Sequence, residues 1–369
     1  MPDWTKSMEQ TYEYYIVDPI TWKDKTQLNT VMACTIDRDS TAETLGSATI
    51  DITDSVGECY IRAYLITIQN GVTEKHPFGT FLVQTPSTSY NGKIRSVSMD
   101  AYTPLLELKE NPPEIGYSIF KPINDNEKIY ILDQAYKLAK NNMRGPVIKP
   151  TIDTTVDQYK NLVRSDFVAN VDDTWLSFIA TLLNGADYKF DVDELGRTFF
   201  AKNQKTETLQ PIWTYTDDNS SILLPDLDMD HDIFGVPNRV VVVYSSNGVT
   251  YRGEATNEDE NSPTSYQRRG RWITKRVVNP DFGGIPIVND AMNQVQEYAE
   301  TLLKESSTLE YTVTYSHGYC PVRVGDCVRL NYTRAGLTDI KAKVIKQSIS
   351  CVPGCTVTET AVFTNKLWR

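Results

Sequence analysis

Residues 171–201, VDDTWLSFIATLLNGADYKFDVDELGRTFFA, change their hydrophobic period halfway along. Trp175, Phe178, Ile179, Leu182 and Leu183 recur at three- and four-residue spacing and so share one face of a helix. Asp172 or Asp173 stands where a carboxylate caps a first turn, and Gly185 stands where a left-handed residue follows a last one. Tyr188, Phe190 and Val192 then alternate with polar residues. Asp193-Glu194-Leu195-Gly196 supplies turn chemistry, and residues 197–201 run back. The pattern predicts a compact αββ unit whose apolar face must cover another part of the chain.

Ahead of this unit, residues 1–105 read as strands at 12–17, 31–36 and 41–52, with Ala48, Ile50 and Ile52 alternating. Residues 59–69, CYIRAYLITIQ, are rich in aromatic and β-branched side chains. Asn70-Gly71 is a hairpin signal that returns the chain through His76-Pro77 to 79–83, and Tyr90-Asn91-Gly92-Lys93 turns it again into 94–101. Many short strands at this spacing predict a barrel or sandwich. Pro112-Pro113 marks a hinge-like passage. A helix follows and ends at Gly145-Pro146, with Ile129, Leu132, Ala135, Tyr136 and Ala139 on one face; Asn124 and Glu127 have the spacing of a capping box. A weaker helical pattern covers 155–163.

From Pro211 the chain is β again. Residues 239–244, RVVVVY, read as a strand central in its sheet. Residues 253–270 form a polar loop whose length predicts mobility or function, and 272–277 another strand. A helix runs from Asn289 or Asp290 to about Ser306, with Met292, Val295, Tyr298, Ala299, Leu302 and Leu303 on one face. Strands at 309–316, 327–332, 340–350 and 356–363 close the chain, the last two joined by Pro353-Gly354, which suits a type II turn. The expected fold class is α+β, mainly β. Residues 1–105 form a first β-barrel domain, 106–150 a helical bridge, 151–210 the αββ subdomain, and 211–369 a second β-barrel domain with an inserted helix at 289–306.

Charge narrows the partners. With 37 basic and 48 acidic residues the net charge is −11. A protein that grips phosphates is usually basic, so nucleic-acid binding is not the expected task, whereas a wall that repels DNA is allowed. No apolar run approaches the roughly 18 residues of a membrane helix, and residues 1–15 lack the charged and apolar regions of a signal peptide, so synthesis in a cytoplasm and no stable membrane insertion are expected.

Candidate chemistry is sparse. No phosphate-binding glycine motif occurs, and Gly283-Gly284 beside Pro280 and Pro286 reads as a turn. The run Asp226-Leu227-Asp228-Met229-Asp230-His231-Asp232 begins like a calcium loop, but His231 stands where glycine is needed and Pro237 where glutamate is; a solvated acidic strand edge is the simpler reading. His317, Cys320, Cys327, Cys351 and Cys355 offer half of a zinc pattern, and Cys351 and Cys355 also have the spacing for a bridge across their turn; reduced, packed thiols are favoured over both. The three histidines, His76, His231 and His317, accompany no nucleophile motif. No catalytic residue, metal ligand or cofactor is therefore expected. The remaining candidate is the loop with Glu258, Asp259 and Glu260 followed by Arg268, Arg269 and Arg271, which reads as a self-neutralising surface or a subunit or partner contact.

Several passages resemble the baseplate hub, or tail-tip hub, proteins of bacteriophages and related contractile particles. They are His76-Pro77-Phe78-Gly79-Thr80-Phe81-Leu82-Val83 with Ser98-Met99-Asp100-Ala101-Tyr102-Thr103-Pro104-Leu105; Asp173-Thr174-Trp175-Leu176 through Asp193-Glu194-Leu195-Gly196-Arg197; Pro237-Asn238-Arg239-Val240-Val241-Val242; and Val324-Gly325-Asp326-Cys327-Val328-Arg329-Leu330 with Leu367-Trp368. They occur in order over nearly the whole chain. The resemblance implies a non-enzymatic virion protein with two tube-like β-barrel domains and α+β insertions. Three copies would form a ring that joins the tail tube or distal tail ring proteins to a central spike or fibre, adapting six-fold to three-fold symmetry around a channel for DNA. Longer members carry a lytic or receptor-binding extension; this chain stops at Arg369, so such an activity is expected on another chain. Two other readings stay open: a tail protein that binds or hydrolyses cell-wall carbohydrate, which the many Tyr and Trp would suit, and a spike-type hub of a bacterial contractile injection system.

Overall fold

The computed structural model describes residues 2–54, 56–93, 95–124, 127–152, 160–218, 221–246, 248–280 and 291–367. Seven strands come first: β1 (Glu9–Val17), β2 (Asp24–Gln27), β3 (Val31–Asp39), β4 (Gly46–Ile52), β5 (Tyr60–Gln69), β6 (Val72–Tyr90) and β7 (Arg95–Tyr102). Helices then alternate with short strands: α1 (Leu106–Glu110), β8 (Ser118–Ile119), α2 (Ile131–Asn142), β9 (Phe167–Val168), α3 (Trp175–Gly185), β10 (Tyr188–Val192) and β11 (Thr198–Lys202). The remainder is β12 (Pro211–Thr216), β13 (Leu223–Asp230), β14 (Arg239–Ser246), β15 (Val249–Thr256), α4 (Tyr266–Arg269), β16 (Thr274–Val278), α5 (Ala291–Ser306), β17 (Thr308–Gly318), β18 (Cys327–Asn331), β19 (Ile340–Ser350) and β20 (Thr356–Lys366). By packing, these form two compact units, Met1–Asp226 with Tyr315–Thr360, and Leu227–Thr314 with Ala361–Arg369. The boundaries drawn from sequence at 105, 150 and 210 all fall inside the first.

Asn70 and Gly71 both take positive φ, 52° and 77°, the geometry a tight hairpin turn requires, and so fix the long β5–β6 pairing that runs from Gln69↔Val72 to Tyr60↔Leu82. Around this hairpin the main sheet is antiparallel in the order β19-β3-β4-β7-β6-β5-β1-β2. β18 pairs antiparallel with β19, and β12 joins β18 in parallel. β20, β17 and β13 continue the sheet beyond β19. Closed barrels were the expectation; instead this sheet is open, with β13 at one end and β2 at the other. Both end strands carry the exposed polar side chains that keep an unpaired edge soluble.

The main core shows why the chain's ends must meet. Ile36, Ile50, Ile52, Leu65, Phe78 and Met99 from the first hundred residues pack with Ile349 and Val357 from the last strands. A second core unites the bridge and the αββ unit, with Leu105 and Leu108, Ile131, Leu132 and Ala135 of α2, Trp175 to Leu183 of α3, and Phe190 of β10. The predicted helical face is therefore the buried one, and the covered partner is α2.

The helix ends differ from the sequence reading. Thr174, not Asp172 or Asp173, caps α3: its hydroxyl accepts from the Ser177 N–H while the Ser177 hydroxyl accepts from the Thr174 N–H, a reciprocal capping box. Asp173 instead accepts from the Ser177 hydroxyl at 3.0 Å. Gly185 is the last helical residue, and Asp187 takes the left-handed conformation with φ 65°. Asn124 and Glu127 do not cap α2, which begins at Ile131; the Leu132 N–H is met at 3.0 Å by the side chain of Asn161. Most of the helical pattern over 155–163 lies outside the described residues, and Leu162 is extended, bridging to Tyr130.

In the second unit β14 is central, antiparallel to β15 and parallel to β16. Val240, Val242 and Ala255 pack against Val295, Ala299 and Leu303 of α5. Gly253 permits this approach, because a Cβ there would stand 2.3 Å from the Val295 carbonyl oxygen. The predicted start of α5 at Asn289 or Asp290, the Gly283-Gly284 turn and Trp368 lie outside the described residues. Among the described residues no helix is long and apolar enough to cross a membrane.

Candidate functional site

The αββ unit is fastened by its turn. Gly196 takes φ 72°, and a Cβ on it would lie 2.7 Å from the Thr80 Cβ and 3.1 Å from the Trp22 ring, so the turn is seated directly on the first strands. The carbonyl of Leu195 accepts from the Trp22 indole N–H at 2.7 Å and from the Arg62 guanidinium at 3.1 Å. Arg62 is itself buried and held by Asp24 at 2.8 Å and the Thr80 hydroxyl at 2.8 Å. Glu194 pairs with Arg323 at 2.6 Å and Arg38 at 3.6 Å, and Arg323 also donates to the Val192 carbonyl at 2.9 Å. Burial pushes the Asp191 carboxyl up, against the pull of Arg323, and does the same at Asp326. Three arginines, Arg38 of β3, Arg62 of β5 and Arg323 of the loop between β17 and β18, thus converge on one turn as a clamp.

A second polar cluster lies inside the same unit. The carboxylate of Glu359 on β20 faces His317 on β17 at 3.3 Å and accepts from Tyr315 at 2.8 Å, Tyr215 at 3.2 Å and the Gln347 amide at 2.6 Å. Glu359 and His317 have no exposed surface. His317 Nδ1 donates to the Gly318 carbonyl at 2.7 Å, which leaves Nε2 toward Glu359 and the Tyr215 hydroxyl. Burial alone lowers His317, but its contacts with Cys320 and Glu359 outweigh that and hold it up at about 10. Burial raises Glu359, and the His317, Gln347 and Tyr315 contacts bring it below the usual carboxylate range. The pair is therefore an ion pair through the neutral range. Its burial withholds it from any substrate, so its chemistry is to fix the register of β17, β19 and β20.

The candidates read from sequence are scattered by the fold. Glu258, Asp259, Glu260, Arg268 and Arg271 are exposed, but Arg269 spends its guanidinium on the carbonyls of Val236, at 2.6 Å, and Ile233. The loop whose length predicted mobility or function starts later, since β15 runs to Thr256, and it is built around buried groups: Asn257 donates to Ser262 at 2.8 Å, Ser262 to the Leu367 carbonyl at 2.5 Å, and Ser265 caps α4. Arg268 donates to the Glu260 carbonyl at 2.8 Å, and Tyr266 stacks on Trp272 at 4.3 Å.

The histidines and cysteines divide between places: His317 and Cys320 share the Glu359 cluster, and Cys34, Cys351 and Cys355 share the main core. His76 contacts the Thr67 hydroxyl at 3.1 Å, and His231 stacks on Tyr311 at 4.6 Å. Cys320 joins the Glu359 cluster through Tyr215 at 3.2 Å. Cys351 and Cys355 are free thiols in the main core beside Cys34, so no bridge spans their turn. Among the described residues no three metal-binding side chains come together. The acidic run is the exposed strand β13, as the solvated-edge reading has it.

The clamp and the ion pair escaped the sequence reading, although each left a signal. Val357, Ala361 and Phe363 alternate inward along β20, and Glu359 occupies the inward position between them. Arg62 likewise interrupts an apolar strand. A charge at an inward position of an alternating strand implies a buried partner.

No family model matches the sequence, and no curated protein matches it. Solved structures match along its length. The chain is similar to the tail protein from Neisseria meningitidis MC58, with TM-score 0.57 at 14% identity over 97% of this chain and 98% of that one. It is similar to the 43 kDa tail protein of prophage MuSo2 from Shewanella oneidensis, with TM-score 0.55 at 11% identity over 96% of this chain and 98% of that one. A chain of the Francisella PdpA–VgrG complex aligns with TM-score 0.53 at 9% identity over 96% of this chain and 53% of its own. The fold is thus that of phage tail and spike-complex proteins. Its particular form is the whole-length tail-protein fold, mainly β with α+β insertions, shared end to end with the Neisseria and Shewanella proteins.

Proposed function

We propose that this chain is the structural hub of a phage tail tip or baseplate. Three copies form a ring around a channel that passes DNA, with the tail tube or distal tail ring on one side and a central spike or fibre on the other. The observation that carries this reading is the end-to-end likeness to two tail proteins of nearly the same extent, 98% of each being covered. The clamp and the buried ion pair support a mechanical rather than a chemical task, since both spend their charges on holding strands together. The acidic balance of −11 suits a wall past which DNA moves without sticking. Exposed Glu258, Asp259, Glu260, Arg268 and Arg271 supply a subunit or partner contact.

A second reading is favoured by the PdpA–VgrG likeness, which spans 96% of this chain: a spike-type hub of a contractile injection system. Both readings put the protein at the tip of a tail-like particle rather than free in solution. Gold-labelled antibody against the chain, applied to purified particles, tests this: label at the distal end of a tail supports the hub, and particles that lack the chain refute it. Turnover of cell-wall polymer by the purified chain would refute the non-enzymatic assignment.

A further inference from the structure

Among the described residues β13 and β16 each pair on one side only, as β2, β12 and β15 do, and the charges of β13 and β16 are opposite. β13, LLPDLDMD, lies at the end of the main sheet, and Asp226, Asp228 and Asp230 alternate along it so that one face is acidic and exposed. β16, TKRVV, lies at the end of the three-stranded sheet; Thr274, Lys275 and Arg276 are exposed, and Val278 is 68% exposed. Among the described residues neither strand pairs with the other. Leu224 and Met229 on β13 are likewise exposed, 44% and 39%.

An open edge offers a row of backbone donors and acceptors, and proteins usually guard it with charge. Guarding explains why each edge is charged. It leaves the opposition of sign unused, and that opposition selects a partner. Two β13 strands set side by side would place carboxylates against carboxylates, and two β16 strands would place Lys275 and Arg276 against their copies; like charges opposite one another destabilise a strand pair. Of the pairings these two edges allow, β13 against β16 brings opposite charges together. We infer that β13 of one copy adds to the β16 edge of a second copy of this chain, main-chain bonds supplying the joint and the face carrying Asp226, Asp228 and Asp230 meeting Arg276 across it, while Lys275 points to the other face, where it donates to Ser306 of α5.

A joint between two different edges is heterologous, so each copy keeps one free edge for the next, and repetition closes a ring instead of stopping at a two-fold dimer. The inference rests on the proposed ring and names the surface that closes it. Because the attraction is between exposed charges, association weakens as salt rises.

The test is sedimentation of the full chain over a range of concentrations at low and high salt. The natural chain is expected to assemble. A chain with Asp226→Lys, Asp228→Lys and Asp230→Lys, and another with Lys275→Glu and Arg276→Glu, should each need at least ten times the concentration; the chain carrying both sets should recover assembly, since the charges are exchanged and not lost. The milder set Asp226→Asn, Asp228→Asn and Asp230→Asn shifts assembly in the same direction and covers the case in which a reversed chain loses its melting transition. Assembly of the natural chain unchanged by any of these substitutions overturns the edge joint and leaves the ring reading standing. A natural chain that stays monomeric throughout overturns both.

Discussion

Replacing Glu359 with Gln removes one charge from a closed cluster and keeps its shape. In the native protein the carboxylate meets His317 at 3.3 Å, Tyr215 at 3.2 Å, Tyr315 at 2.8 Å and Gln347 at 2.6 Å, with no exposed surface on either member of the ion pair. Losing one partner of a buried pair costs about 3–5 kcal/mol, because the other is left charged or forced to discharge in a dry site. Gln retains one acceptor oxygen, so a loss of about 3 kcal/mol is expected in urea unfolding at pH 6. The pH dependence gives a second readout. His317 is raised to about 10 from 6.5, so its contribution is complete below pH 6.5 and is lost as pH rises toward 10. Glu359 is lowered from 4.5, so its contribution is present above pH 4.5 and is lost as pH falls through the folded value. The native protein should therefore lose stability on the alkaline side between pH 6.5 and 10, and Glu359→Gln should flatten that limb. A loss under about 1 kcal/mol with the limb unchanged would refute the ion pair.

Other consequences follow from the same geometry. Gly196→Val should destabilise by about 2–4 kcal/mol, from a non-glycine residue at φ 72° and a side chain driven into Thr80 and Trp22; a melting temperature equal to that of the native protein would show the turn is not seated there. Asn161→Ala should cost about 1 kcal/mol by leaving the Leu132 N–H uncapped, measured as the change in urea midpoint at constant slope. Burial pushes the Cys355 thiol up to about 11, and the neighbouring Cys34 together with burial raises Cys351 well above the usual thiol range. At pH 8 both should resist a disulfide reagent until the protein is denatured, after which six thiols titrate; rapid reaction in the native state would contradict their burial.

Much of the fold was legible because the patterns are local. The αββ unit, the Asn70-Gly71 hairpin, the central β14 and the turn at Pro353-Gly354 all follow from periodicity and turn chemistry within a few residues. What was not legible depends on distant partners. Asn161 caps α2 from 29 positions away, so the nearer Asn124 and Glu127 spacing misled. Whether a sheet closes is set by what its edge strands meet; β13 was legible as a solvated strand edge, but the polar β2 reads as loop. The two-unit division joins residues 315–360 to the first unit, which no composition shift announces. The loop at 258–271 was recognised by its charge, but the diversion of Arg269 to two carbonyls required the backbone to be in place. The clamp and the ion pair could have been suspected from Arg62 and Glu359 at inward positions, though their partners could not.

The central claim is that this chain builds a three-fold ring, and particle mass with image classes tests it most directly. Light scattering of the purified chain at rising concentration, with negative-stain class averages of the same sample, should give a mass three times that of the 41.8 kDa chain and rings with an open centre. A single-chain mass at every concentration, or closed two-fold particles, would contradict it.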